Sequence, residues 1–164
     1  GVKWGRENIG PYFQRYLPYA SDTALLAYSI WFTDVLNQLN DRDDEACHTF
    51  LFGGGTLPRL LREKEIAEEM FGIMTDILTS AMEAPTPPDP QQAEPIFIHV
   101  TQSLVQRFGE EEVVSTMSVF DDPKAPGRNK SDVCKAAVMM YNEVSLLPQE
   151  DQVVALRVMF MGGD

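Results

Sequence analysis

The sequence predicts an all-α fold, an irregular bundle of about seven helices, and three observations carry that expectation. Apolar side chains recur at three- and four-residue spacing along most of the chain. Cap residues, prolines and glycines punctuate the pattern at intervals of helical length. With 44% hydrophobic and 23% charged residues over 164 positions, the composition is that of a soluble globular chain that buries about two thirds of its surface.

At the amino end, Pro11 and Pro18 predict a short helix that opens near the first and stops at the second. Ser21 or Asp22 then caps a helix through about Leu39, with Leu25, Tyr28, Phe32, Val35, Leu36 and Leu39 on its inner face. Ala24, Ala27, Ile30 and Trp31 widen that stripe past half the circumference, so the helix is expected at the centre of the bundle. Asp41, Asp43, Asp44 and Glu45 form an acidic entry to a short helix ending at Gly53, a placement the positive end of the helix dipole favours. After Gly54 and Gly55, Thr56 and Pro58 start a helix expected from Leu57 to Met82, about 40 Å long. Leu60, Leu61, Ala67, Met70, Phe71, Met74, Ile77, Leu78 and Ala81 mark its buried side, and it is the second element expected at the centre.

Residues 84–95 hold Pro85, Pro87, Pro88, Pro90 and Pro95, a Pro-rich connector. In polyproline conformation it reaches roughly 34 Å, enough to run back along the preceding helix and start the next one parallel to it. A single domain over 1–164 is expected, the alternative being subdomains at 1–83 and 95–164 hinged on this connector. Beyond it, Phe97, Val100, Leu104 and Phe108 predict a helix stopped by Gly109, and Glu110, Glu111 and Glu112 begin a short successor with Val113, Val114, Met117 and Phe120. A loop from Asp121 to Lys130 follows, expected to be mobile. Ser131 or Asp132 caps the next helix, and Pro148 opens the last one, which ends at Gly162 and Gly163.

A formal net charge of −12 argues against nucleic acid as a partner. The longest apolar stretch, Ala24–Phe32, is far short of the roughly 20 residues of a membrane span. Lys3, Trp4, Arg6, Tyr12, Arg15, Tyr16 and Tyr19 nevertheless mix aromatic and basic residues as segments next to a bilayer do. The preferred reading is a first helix with its aromatics on the core and its bases in water. A start at Gly1 without methionine or signal pattern leads to the expectation of a piece of a longer protein.

Each candidate chemical motif meets a plainer explanation. Glu45 and His48 have the spacing of paired carboxylate and imidazole metal ligands, but Ile96 stands three before the other histidine, His99, so the second pair is missing. Asp41, Asp43 and Glu45 alternate as in a calcium loop, yet Ala46 and Phe52 occupy the positions that need glycine and glutamate. Gly53, Gly54, Gly55 and Thr56 with Arg59 and Arg62 would suit an anion, although the spacing is not that of a phosphate loop. Cys47 and Cys134 fall on apolar faces, where core packing is the first reading and a mutual bridge the second; the sequence leaves their pairing and the compartment open. Seven of the eight methionines, Met70, Met74, Met117, Met139, Met140, Met159 and Met161, are read first as core filler and second as lining for a greasy pocket or partner groove. Lys124, Arg128 and Lys130 make one basic spot on the mobile loop.

No catalytic residue, metal ligand or cofactor is assigned on this basis. The expected function is that of a non-catalytic accessory or protein-interaction domain of a larger, membrane-tethered protein. The alternatives are a carrier or sensor of an apolar small molecule in an interhelical cavity, and an enzyme using Glu, Asp or His48 in a cleft.

Overall fold

The computed structural model describes residues 10–52, 59–122 and 129–161. Among these there are eight α-helices and no strand: α1 (Gly10–Tyr16), α2 (Asp22–Arg42), α3 (Asp44–Phe52), α4 (Lys64–Glu83), α5 (Pro90–Phe108), α6 (Glu110–Met117), α7 (Lys130–Val144) and α8 (Gln149–Phe160). Short 3-10 turns at Leu17–Tyr19, Arg59–Arg62 and Ser118–Asp121 link them. The all-α bundle expected from the sequence is what the chain forms.

Helix α2 is the central element, as its wide apolar stripe predicts. It packs on α3, α4, α7 and α8. Ser21 caps it, its hydroxyl accepting from the Ala24 amide at 3.2 Å, and nine of its residues are buried. The stripe is narrower than expected, because Ala27 and Ile30 face solvent and Ile30 is 73% exposed. Together with Thr23 and Asp34 they form the exposed row at helical spacing.

Seven aromatic rings join α2 to four other helices. Phe32 touches Tyr28, Phe50, Tyr141 and Phe160 at centroid distances of 4.8–5.7 Å, and Tyr28 adds Phe13 and Trp31. Most of these contacts are tilted or edge-on, the arrangements the ring quadrupoles favour. Around the rings, Leu25, Leu36, Ile77, Val100, Leu104 and Leu156 complete one core that draws on both sides of the Pro-rich connector.

The second expected central helix is neither central nor continuous. Its predicted start at Leu57 lies outside the described residues; from Arg59 the chain makes a 3-10 turn, Glu63 is extended (ψ 135°), and α4 begins at Lys64. Breaking there lets Leu61 turn into the core on its own, at 2% exposure, and puts Glu63 and Glu65 at a helix start, where the dipole favours them. Only Ile77 and Ala81 of α4 are fully buried. The helix covers one side of the bundle, packing on α1, α2 and the Leu17–Tyr19 turn.

The connector also differs from its expected form. Asp89 caps α5 by accepting from the Gln92 amide at 3.1 Å, Pro90 fills a first-turn position that needs no amide hydrogen, and Pro95 lies inside the helix. Only residues 84–89 remain extended, with a reach of about 19 Å against about 30 Å for α4. The Thr86 amide donates to the Tyr19 carbonyl at 3.0 Å, which ties this short strap across the first 3-10 turn. The two helices therefore do not form the expected parallel pair: α5 packs on α6, α7 and α8 instead.

The remaining boundaries need smaller corrections. Gly109 ends α5 with φ 89°, a backbone state suited to glycine. Asn129, rather than Ser131 or Asp132, caps α7 by accepting from the Ser131 amide at 2.8 Å. Gly53, the Gly54–Thr56 run, Gly162, Gly163 and the loop bases Lys124 and Arg128 lie outside the described residues.

Polar contacts fix how the helices meet. The amides of Asn37 and Asn142 exchange two hydrogen bonds, 2.8 and 3.1 Å, between α2 and α7. Arg157, 5% exposed, donates through Nη2 to the Ala20 carbonyl at 2.9 Å and to Asp22 at 2.6 Å, anchoring α8 to the start of α2. Gln152 donates to the carbonyls of Ser145 and Leu147 and so closes the α7–α8 turn.

Two outcomes follow from the ring cluster. Phe32→Ala removes four ring contacts and is expected to cost about 3–5 kcal/mol in urea denaturation, whereas Ile30→Ala on the exposed row changes stability by less than about 0.5 kcal/mol. Burial pushes the hydroxyls of Tyr28 and Tyr141 well above the ordinary tyrosine range, with the Tyr28–Tyr141 repulsion adding to the effect at Tyr28. The unfolded chain releases these protons near about pH 10 while the native chain keeps them, so stability falls as pH rises beyond that point. Absorbance titration should show Tyr28 and Tyr141 ionising only together with loss of the helical circular dichroism signal.

Candidate functional site

Two surface features remain after the core is accounted for, a polar cleft beside α5 and the outer side of α4. The cleft, about 460 Å³, is lined by His99, Ser103, Gln106 and Arg107 of α5, and by Glu143 and Leu146 at the end of α7. His99, Ser103 and Gln106 follow one another at helical spacing, so α5 presents them as one row. Val100 forms part of the floor and is fully buried.

Glu143 is the unusual group in the cleft. It is a carboxylate at 5% exposure, and its Oε2 lies 3.2 Å from Nη1 of Arg107, whose side chain is half in solvent. The pair compensates a charge that would otherwise be costly to bury, and it holds the guanidinium at the cleft wall. This arrangement joins α5 to α7. The lining mixes polar and apolar groups, unlike the greasy cavity of the carrier reading.

Neither residue was singled out from the sequence, because partners 36 positions apart leave no local pattern. One signal was present. Glu143 stands seven residues beyond Ala136, a buried residue of α7, so helical spacing places it on the inner side. Arg157 was missed for the same reason, as a base in the last turn of α8 reads as an ordinary dipole partner.

The sequence candidates are dispersed. Glu45 pairs with Lys130 at 3.1 Å on the surface, and the His48 ring rests against Phe52 at 4.9 Å. His99 is in the cleft, on a different helix from His48. Asp43 uses its carboxylate to cap α3, accepting from the Ala46 amide at 3.1 Å. No group of three potential metal-ligating side chains occurs among the described residues. Arg59 and Arg62 sit in the 3-10 turn before α4, and the glycine run they were to accompany is outside the described residues. The methionines divide: Met70, Met74, Met117, Met139, Met140 and Met159 pack against the core, while Met161 is 50% exposed. Cys47 and Cys134 are joined as a disulfide between α3 and α7, with Cα atoms 6.1 Å apart.

The outer side of α4 has a different character. Phe71 (71% exposed), half-buried Leu78 and Met82 (65% exposed) recur at spacings of seven and four, forming one stripe. The same helix carries five exposed carboxylates on one side of the stripe, Glu65, Glu68, Glu69, Asp76 and Glu83, against the single base Lys64. None of the four ion pairs among the described residues uses any of them. Elsewhere on α5, α6 and the third 3-10 turn, Phe108, Val114 and Phe120, expected on buried faces, are also exposed, because these elements cover the bundle from one side only. No helix among the described residues is long and apolar enough to cross a membrane.

Arg107→Ala leaves the Glu143 carboxylate buried without its cation and is expected to lower stability by about 1–3 kcal/mol in urea denaturation. The double variant Arg107→Ala, Glu143→Leu should recover most of that loss, as apolar replacement of a buried pair often does. Comparison with protein-family models, curated proteins and solved structures finds no match for this chain.

Proposed function

We propose that this chain is a helical protein-interaction domain whose docking face is the outer side of α4, and that its partner is a basic amphipathic helix. The reading rests on one observation: exposed Phe71 and Met82, with half-buried Leu78 between them, share a helix with five exposed carboxylates that form no ion pair among the described residues. A partner helix with apolar anchors three and four residues apart would cover the stripe, and lysines or arginines beside those anchors would meet the carboxylates. The apolar contact would supply affinity. The charges would set orientation, speed encounter and exclude acidic partners.

The rest of the bundle supports this role by rigidity. Ile77 and Ala81 seat α4 on the core, and the hydroxyl of Ser80 accepts from the Ser21 amide at 3.0 Å, pinning it beside the start of α2. Within a larger, membrane-tethered protein such a domain would act as an adaptor, without chemistry of its own.

A designed peptide of leucine and lysine at heptad spacing serves as the probe, with a leucine and glutamate peptide as control. Calorimetry should show binding of the lysine peptide that weakens as salt is raised, and no binding of the control. Phe71→Ser with Met82→Ser, both at exposed positions, should leave the thermal midpoint unchanged and reduce affinity at least about tenfold. Unaltered affinity in that variant would exclude α4 as the docking face.

A further inference from the structure

We infer that the Cys47–Cys134 bond is what anchors α3 in its native place, so that α3 docks stably only when the chain folds in an oxidising compartment. The inference stands apart from the docking face on α4. Its basis is the way α3 is attached. Cys47 is the only fully buried residue of this nine-residue helix. Otherwise α3 holds on through half-buried side chains such as Phe50, which stacks on Phe32 at 4.9 Å, and through the exposed Glu45–Lys130 pair. Exposed ion pairs contribute little. At its start α3 is separated from α2 by Asp43 in an extended conformation (φ −158°, ψ 99°).

The bond to Cys134 supplies what these contacts lack. It closes a loop across 87 positions, a long span whose closure strongly restricts the unfolded chain. Cα atoms 6.1 Å apart lie within the range a disulfide spans without moving the backbone. Both cysteines are completely buried, so a soluble thiol reaches the sulfurs only after α3 has swung away. Such a bond is structural and resists the glutathione pool.

The chemistry balances with a disulfide-bearing oxidant. One cysteine loses its proton, attacks the oxidant's disulfide and forms a mixed disulfide, expelling the first oxidant thiol. The second cysteine loses its proton and attacks the chain's sulfur in that mixed disulfide, forming the Cys47–Cys134 bond and releasing the second oxidant thiol. Two electrons and two protons pass to the oxidant, and the chain loses two hydrogens.

The test compares the full chain made in an oxidising and in a reducing compartment of the same cell, denatured without reductant and labelled with a mass-tagged maleimide. Neither cysteine should label in the first sample, and both should label in the second. Excess reduced glutathione should cleave the bond much more slowly in native than in urea-unfolded protein. The reduced chain should melt about 10 °C lower than the oxidised one, with faster amide exchange confined to α3 and its contacts on α7. Cys47→Ala with Cys134→Ala should behave as the reduced chain does; if it fails to fold, reduction of the native wild type supplies the same measurement. Two free thiols in the oxidising sample, equal cleavage rates in native and unfolded protein, or an unchanged melting point on reduction would each overturn the inference.

Discussion

The aromatic cluster around Tyr28 and Phe32 is the contact on which the architecture depends. These two rings, one turn apart on α2, meet partners from α1, α3, α7 and α8. Large rings bury much area per residue and prefer tilted geometries, so one helix carrying two of them can orient four neighbours. That is why α2 is central. Helices α4, α5 and α6 occupy the outside, each burying only a few residues.

Ring packing gives the bundle its cohesion but leaves the sliding and rotation of its helices weakly determined, and polar side chains supply that restriction. The reciprocal Asn37–Asn142 amides are satisfied at one register of α2 against α7. Arg157 meets a carbonyl and a carboxylate at the start of α2, and the disulfide ties α3 to α7. A mispaired register would leave these groups buried without partners, at a cost comparable to a sizeable share of the net stability of a chain this size.

The surface is correspondingly uneven. Where helices meet, charges are used in cross-helix pairs such as Arg107–Glu143 and Lys135–Glu112. On the outer side of α4 the charges form no ion pair among the described residues, and exposed apolar side chains share the helix with them. A solvated helix needs neither Phe71 nor Met82 in contact with water, and folding gains nothing from leaving them there. That exposure distinguishes α4 from the cleft, where the buried carboxylate of Glu143 is already paired with Arg107.

Periodicity along the chain was enough to establish the helical class, the central place of α2, the Ser21 cap, the stop at Gly109 and the seat of Cys47 and Cys134 on apolar faces, because each depends on residues within a turn or two of one another. Legibility ended where partners come from distant segments. Glu63 breaking the predicted long helix, and Ile30 and Phe71 facing solvent, reflect which neighbours are present to pack against, and no local spacing encodes that. The buried Arg107–Glu143 pair and the Cys47–Cys134 bond were decided by the tertiary structure alone. A charge is buried, or a thiol bridged, only when the fold brings its complement within a few ångströms.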